Sequence, residues 1–176
     1  MFETLVKWNC FSTNMLLKKT ARNLLEKFYC CQISCTKIAQ SVLFAHNGRG
    51  CTIVAAMISE NVVIFQNVSI GSNLKYNKIT KQWENVGNPI IAKNVVICDG
   101  AKIFGPVVIN EGSIIAAGAI ITKDVPKNSI AYGTNQFRVK DSNYNYAFHK
   151  EMIDYQEIIA ENKRLINIFE EAKLLK

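Results

Sequence analysis

Ile91, Ile97, Ile103, Ile109, Ile115 and Ile121 stand six residues apart without a miss. Four residues after each comes a small or β-branched one: Val95, Ala101, Val107, Ser113, Ala119 and Val125. A period of six is neither the 3.6 of a helix nor the 2 of a flat strand, so one helix or one sheet strand does not produce it. It fits a coil in which every six residues supply a short strand and a turn, and three such rungs close a triangular prism. Isoleucine then fills the interior, and the small position sits where the backbone bends. The register extends upstream through Ile38, Phe44, Thr52, Ile58, Ile64 and Ile70, with one eight-residue step between Phe44 and Thr52. Two residues must bulge out at that step, within Ala45-His46-Asn47-Gly48-Arg49-Gly50. A second break, 71–89, ejects a polar loop bearing Trp83 before the register resumes at Ile91. Repeats of this kind define an architecture before any single residue does.

The flanks read differently. Seventeen of the 22 isoleucines lie between Ile33 and Ile130, whereas only Leu43 and Leu74 of the ten leucines do. β-Branched residues favour strands and leucine favours helices, so the middle is β and both ends are helical. Three segments follow: an N-terminal helical segment 1–32, the repeat domain 33–140 with its loop 71–89, and a C-terminal helix 141–176. In the first, Ser12 or Thr13 is the expected cap, and Leu16, Leu17, Ala21, Leu24, Leu25 and Phe28 form the apolar stripe opposite Lys18, Lys19, Arg22 and Lys27. That basic face suits peripheral contact with anionic lipid, but a solvated face is its commoner use. In the last, Phe148, Met152, Tyr155, Ile159, Ile166 and Phe169 recur at helical steps suited to a helix–helix contact.

At 176 residues the chain has the size of one domain, and no apolar run is long enough to span a membrane. The start lacks the pattern of a signal peptide, so the expected compartment is the cytoplasm. Its six cysteines miss the spacing of zinc ribbons and are expected to be core residues rather than a disulfide framework. The net charge of +7 is scattered without a Lys/Arg block, which argues against nucleic acid and leaves a phosphate-bearing ligand compatible.

The repeat, with Ala45-His46-Asn47-Gly48, Glu60-Asn61-Val62-Val63-Ile64, Asn67-Val68-Ser69-Ile70-Gly71 and Thr122-Lys123-Asp124-Val125-Pro126, resembles the hexapeptide-repeat acyltransferases. Within that family it is most similar to serine acetyltransferases and short polysaccharide O-acetyltransferases. The resemblance implies a mainly β fold, a left-handed parallel β-helix of hexapeptide repeats with a short N-terminal helix and a C-terminal helix. It also implies a homotrimer in which acetyl-CoA binds between neighbouring prisms as the acetyl donor, without a metal. His46, fifteen residues before Asn61, takes the position of the catalytic histidine. Asn88 stands where the family has a second histidine, and its amide suits the acceptor hydroxyl or a developing oxyanion. Gly100, Ala117 and Gly118 match positions that lie against the pantetheine arm, and Arg138 and Lys140 are candidates for the CoA phosphates.

Acetyl transfer to an alcohol needs a base, and an imidazole supplies one near neutral pH. Serine acetyltransferases carry aspartate immediately before the histidine and fifteen residues before it; this chain has Ala45 and Cys31 there. The arginine before the second histidine is likewise replaced, by Gly87. The sequence reading therefore puts a hydroxyl of a saccharide or saccharide precursor first among acceptors and L-serine second. A noncatalytic scaffold or binding module is the reading from another class, and it gives the histidine bulge no use. The zinc-dependent enzymes of this fold use three histidines, whereas this chain has only His46 and His149, so no metal site is expected.

Overall fold

The computed structural model of the chain describes residues 1–141, 143, 160, 163–168 and 170–171. In order they form α1 (Phe2–Phe11), α2 (Met15–Tyr29), β1 (Gln32–Ile38), β2 (Leu43–Phe44), β3 (Thr52–Ile58), β4 (Val63–Ile64), β5 (Ser69–Gly71), β6 (Leu74–Asn77), β7 (Gln82–Asn85), β8 (Ile90–Ile91), β9 (Val96–Ile97), β10 (Lys102–Phe104), β11 (Val108–Ile109), β12 (Ile114–Ile115), β13 (Ile120–Ile121), β14 (Ser129–Tyr132) and β15 (Gln136–Val139). The chain divides into two units, Met1–Ser142 and Asn143–Lys176. Of the second, the residues at 163–168 are helical and exposed. Ile166 is among them, while Phe148, Met152, Tyr155, Ile159 and Phe169 of the expected series, and His149, lie outside the described residues.

The first unit is a parallel β-helix with three faces. One face stacks the N-terminal half of β1 on that of β3, then β5, β10 and β13. The second stacks the C-terminal halves of β1 and β3, then β8 and β11. The third stacks β2, β4, β9, β12 and β14, with β15 added antiparallel on the outside. Like residues fall into register: Ile53, Ile70, Ile103 and Ile121 on the first face, Ile58, Ile91 and Ile109 on the second, and Ile64, Ile97 and Ile115 on the third. All ten are shielded almost completely. At about 1.5–3 kcal/mol for each fully buried aliphatic side chain, these columns are the main term holding the prism together.

The register departs from the expected one in two places. Thr52 is exposed, and the inward position belongs to Ile53. The cause is β3 itself, which rounds the edge between the first two faces as one continuous seven-residue strand, so that Ile53 and Ile58 are five apart. β1 does the same between Ile33 and Ile38, and the bulge after Phe44 is correspondingly one residue longer than expected. Val125, expected at a bend, instead bridges Ile109 and continues the second column.

The other two edges turn by left-handed residues. Asn61, Asn94, Gly112 and Asn128 bend the chain from the second face to the third, and Asn67, Gly100 and Gly118 from the third to the first, all with φ between +50° and +69°. Asparagine and glycine are the residues that tolerate this region. The 71–89 excursion is a β6–β7 hairpin rather than an irregular loop, its tip carrying the edge-on pair Tyr76–Trp83.

The N-terminal segment holds two helices where one was expected, and both contribute to the same core. Phe2 and Leu5 of α1 and Ala21 and Leu25 of α2 join the coil's buried cluster, and Asn9 Nδ2 donates to Ile33 O at 2.9 Å. The cap of α2 is Asn14, whose Oδ1 accepts from Leu16 N and Leu17 N, instead of Ser12 or Thr13. Only part of the expected stripe packs, since Leu16, Leu17 and Phe28 remain exposed. Of the cysteines, Cys31 and Cys51 are buried as expected, but Cys30, at the left-handed end of α2, is exposed.

Candidate active site

The bulge after β2 is a turn, Ala45–Gly48, in which His46, Asn47 and Gly48 all take left-handed backbone (φ +52°, +56° and +55°). For His46 and Asn47 this region costs energy, and such strain persists only when surrounding contacts impose it. Gly48 shows the constraint. A Cβ there would meet Phe2 Cζ at 3.0 Å and Cys31 Sγ at 3.3 Å, so α1 and the head of β1 lie hard beneath the turn. Cys51 N donates to Gly48 O, and Cys51 Sγ donates to Phe65 O at 3.1 Å. The turn is thereby clamped from below, and His46 is left exposed on its crest with the Phe65 ring 6.1 Å away, centroid to centroid.

Among the described residues no carboxylate and no hydrogen-bonding partner holds the imidazole. Burial pushes the Cys31 thiol up to about 12 and the Cys35 thiol to about 11, and raises those of Cys51 and Cys98. Thiols kept protonated in this way are poor nucleophiles.

Topology decides which candidates share a location. His46 lies on the edge joining the third face to the first, and Gly100, Ala117 and Gly118 lie on the same edge, two and three coils further on. Between them Asn67 N donates to Arg49 O, Gly100 N to Gln66 O and Gly118 N to Asp99 O, so the corners are stitched into one row. Asn67 Nδ2 also donates to Asp99 Oδ1 at 3.1 Å, and at the glycines the row has bare backbone as its wall: a Cβ at Gly100 would reach only Gly118 backbone, at 3.9 Å, and one at Gly118 would meet nothing.

Asn88 is elsewhere. It follows the hairpin on the edge between the first and second faces, with its Oδ1 buried and unpaired among the described residues, so one chain does not bring it to His46. Arg138 pairs with Ile130 on the outside of the third face. Lys140 lies at the far edge of that face, where its Nζ donates to Gly112 O at 3.2 Å. Neither cation stands on the His46 edge. Sequence reasoning missed α1, whose contact beneath Gly48 fixes the bulge; the signal available was Phe2, Leu5 and Asn9 at helical spacing.

No family model matches the chain. It is 36% identical over 93 residues to a putative serine acetyltransferase of Schizosaccharomyces pombe, covering 52% of this chain and 32% of that one. It is 32% identical over 139 residues to a putative acetyltransferase of the same yeast, covering 68% of this chain and 66% of the relative. Among solved structures, a serine acetyltransferase of Brucella abortus in complex with coenzyme A superposes with a TM-score of 0.54 at 23% identity, over 78% of this chain and 51% of that one. The chain therefore spans from about a third to about two thirds of the length of these relatives. Repeat, fold and relatives agree: the chain belongs to the hexapeptide-repeat acyltransferases and resembles their serine acetyltransferase branch.

Proposed function

We propose that the protein is an acetyl-CoA-dependent O-acetyltransferase with His46 as general base. The observation that carries this reading is the strained, clamped crest that exposes His46 at the head of a row of bare corners, Gly100 and Gly118, on the same edge. Such a row accepts the thin pantetheine arm of CoA, with its thioester directed toward the crest. The acceptor oxygen attacks the thioester carbonyl carbon while a neutral ring nitrogen of His46 takes its proton. As the C–S bond breaks, the imidazolium returns that proton to the departing sulfur, and no covalent enzyme intermediate is formed. Ala117 belongs to the CoA track. Arg138, on the outermost strand, remains the nearer candidate for a CoA phosphate, since Lys140 is engaged with Gly112 O.

The acceptor favoured by the relatives is L-serine, which moves ahead of the saccharide placed first from sequence. A saccharide hydroxyl is the second reading, and Ala45 and Cys31 at the expected aspartate positions are the observation that supports it. Because His46 and Asn88 occupy different edges, Asn88 assists only across a boundary between copies, consistent with a homotrimer whose sites are shared. The test is acetyl transfer from acetyl-CoA over L-serine, sugars and nucleotide sugars, with products read by mass spectrometry. Transfer by wild type and its loss in His46→Ala support the proposal; transfer undiminished in His46→Ala removes it.

A further inference from the structure

Beside the His46 crest, a cavity of about 310 Å³ opens between α1 and the first coil. Its volume lies at the lower end of the range typical of small-molecule sites. Glu3 and Lys7 of α1 line it, as do Ser41, Leu43 and Asn47 of the coil. Asn47 is the chain neighbour of His46, so the cavity's lining ends one residue from the base. α1 is fixed in this position by Leu5 and Asn9, which are buried away from the cavity, Asn9 being bonded to Ile33 O, and by the buried Phe2, which also lines the cavity.

Glu3 and Lys7 are four residues apart on one helix, hence on one face with Cβ atoms about 5–6 Å from each other. They are opposite in charge, and among the described residues neither forms an ion pair, those present being Lys93–Glu111 and Lys127–Glu111. One anion and one cation a helical turn apart, at the mouth of a cavity, match a ligand that carries an ammonium and a carboxylate on the same carbon. Ser41 and Asn47 add neutral hydrogen-bonding groups for a hydroxyl. This is the recognition chemistry that Ala45 and Gly87 leave unfilled.

We propose that this cavity is the acceptor subsite and takes a zwitterionic hydroxyl-amino acid, with Lys7 on its carboxylate, Glu3 on its ammonium, and its hydroxyl directed past Asn47 toward His46. The proposal rests on the acetyltransferase reading with an amino-acid acceptor and adds where that acceptor sits. The experiment measures acetyl transfer to L-serine and to L-serinamide, which lacks the carboxylate, by wild type, Lys7→Gln, Glu3→Gln and the control Lys18→Gln. Loss of one charge-assisted contact is expected to raise KM for L-serine roughly tenfold in each of the first two variants. Lys7→Gln is further expected to erase the preference for L-serine over L-serinamide, a change that a loosened helix would not produce. In wild type, added L-serine is expected to shift the backbone amide resonances of α1 and of 39–47. L-Serine acetylated equally well by all four proteins, or amide shifts confined to another edge of the prism, overturns the subsite and leaves the enzymatic reading intact. Transfer to saccharides with none to any hydroxyl-amino acid overturns the subsite together with the amino-acid acceptor.

Discussion

Two edges of the prism turn with the same left-handed corners and are finished in opposite ways. On the edge between the second and third faces, Asn61 Nδ2 donates to Asn94 Oδ1 at 3.3 Å, Glu111 takes Lys93 and Lys127, and Lys140 reaches Gly112 O. That edge is closed by its own side chains. The edge between the third face and the first carries an exposed histidine at its head and one such side-chain bond, Asn67 Nδ2 to Asp99 Oδ1 at 3.1 Å, but glycines further along, with open space beside Gly118. A repeat needs small corners everywhere, so small residues alone identify nothing. What separates the edges is the glycine corners: Gly112 is used by the chain's own side chains, whereas Gly100 and Gly118 are left bare.

The sharpest way to break this contrast is at the crest. His46→Ala is expected to lower kcat roughly 10²- to 10⁴-fold, the usual contribution of a general base, with the melting temperature unchanged because the side chain is exposed. Steady-state kinetics beside a thermal melt reads both. The interior is expected to respond in the opposite sense. Ile103→Ala, in the middle of the first column, should cost about 2–5 kcal/mol of stability, read by denaturant titration, while any folded fraction keeps its turnover.

A pair of glycine substitutions compares the edges directly. Gly118→Ala places its methyl in open space, so its structural cost is the left-handed backbone alone, about 1–2 kcal/mol. It is expected to raise KM for acetyl-CoA, the methyl standing in the proposed track. Gly112→Ala drives its methyl into Asn128 Oδ1 and is expected to destabilise more, with KM for acetyl-CoA unaltered. Equal effects of the two on KM would erase the distinction between edges.

How much was readable in advance follows from what carries the signal. The columns from Ile91 to Ile121 were legible because each rung is paid in the same residue type at the same interval. Thr52 misled because a continuous strand can round a prism edge in five residues as well as six, and the isoleucine one place on is indistinguishable by type until its neighbours are known. His46 was legible as a break in period. α1 was not, since ten residues with an aromatic and a polar residue on the buried side give little periodicity to read. Asn88 was placed by likeness to a family pattern and Lys140 as a cation following the last coil, and their separation from His46 depends on which edge each connection crosses, a three-dimensional property that spacing along the chain does not encode.

The smaller effects concern charge and pH. The Cys31 and Cys35 thiols are raised by burial, so in the folded chain they stay protonated where unfolded thiols ionise. Their contribution to stability is complete below the unfolded value near 9 and is lost as pH climbs toward 11–12, so melting temperature is expected to fall between pH 8 and pH 10.5. Conversion of Cys31 to alanine should reduce that slope. Smallest of all, Glu111 is held below the usual carboxylate range by Lys93 and Lys127 at an exposed site. Glu111→Gln is expected to lower the melting temperature slightly at low salt and not at all at high salt, with transfer untouched.

The central claim is that the cofactor lies along the His46 edge and not along its closed counterpart. Amide hydrogen exchange with and without CoA measures this in one experiment. Protection on adding CoA is expected at 99–101 and 117–119, with none at 93–95 and 111–113. Protection that appears at 93–95 and 111–113 instead, leaving Gly100 and Gly118 unchanged, would contradict the account.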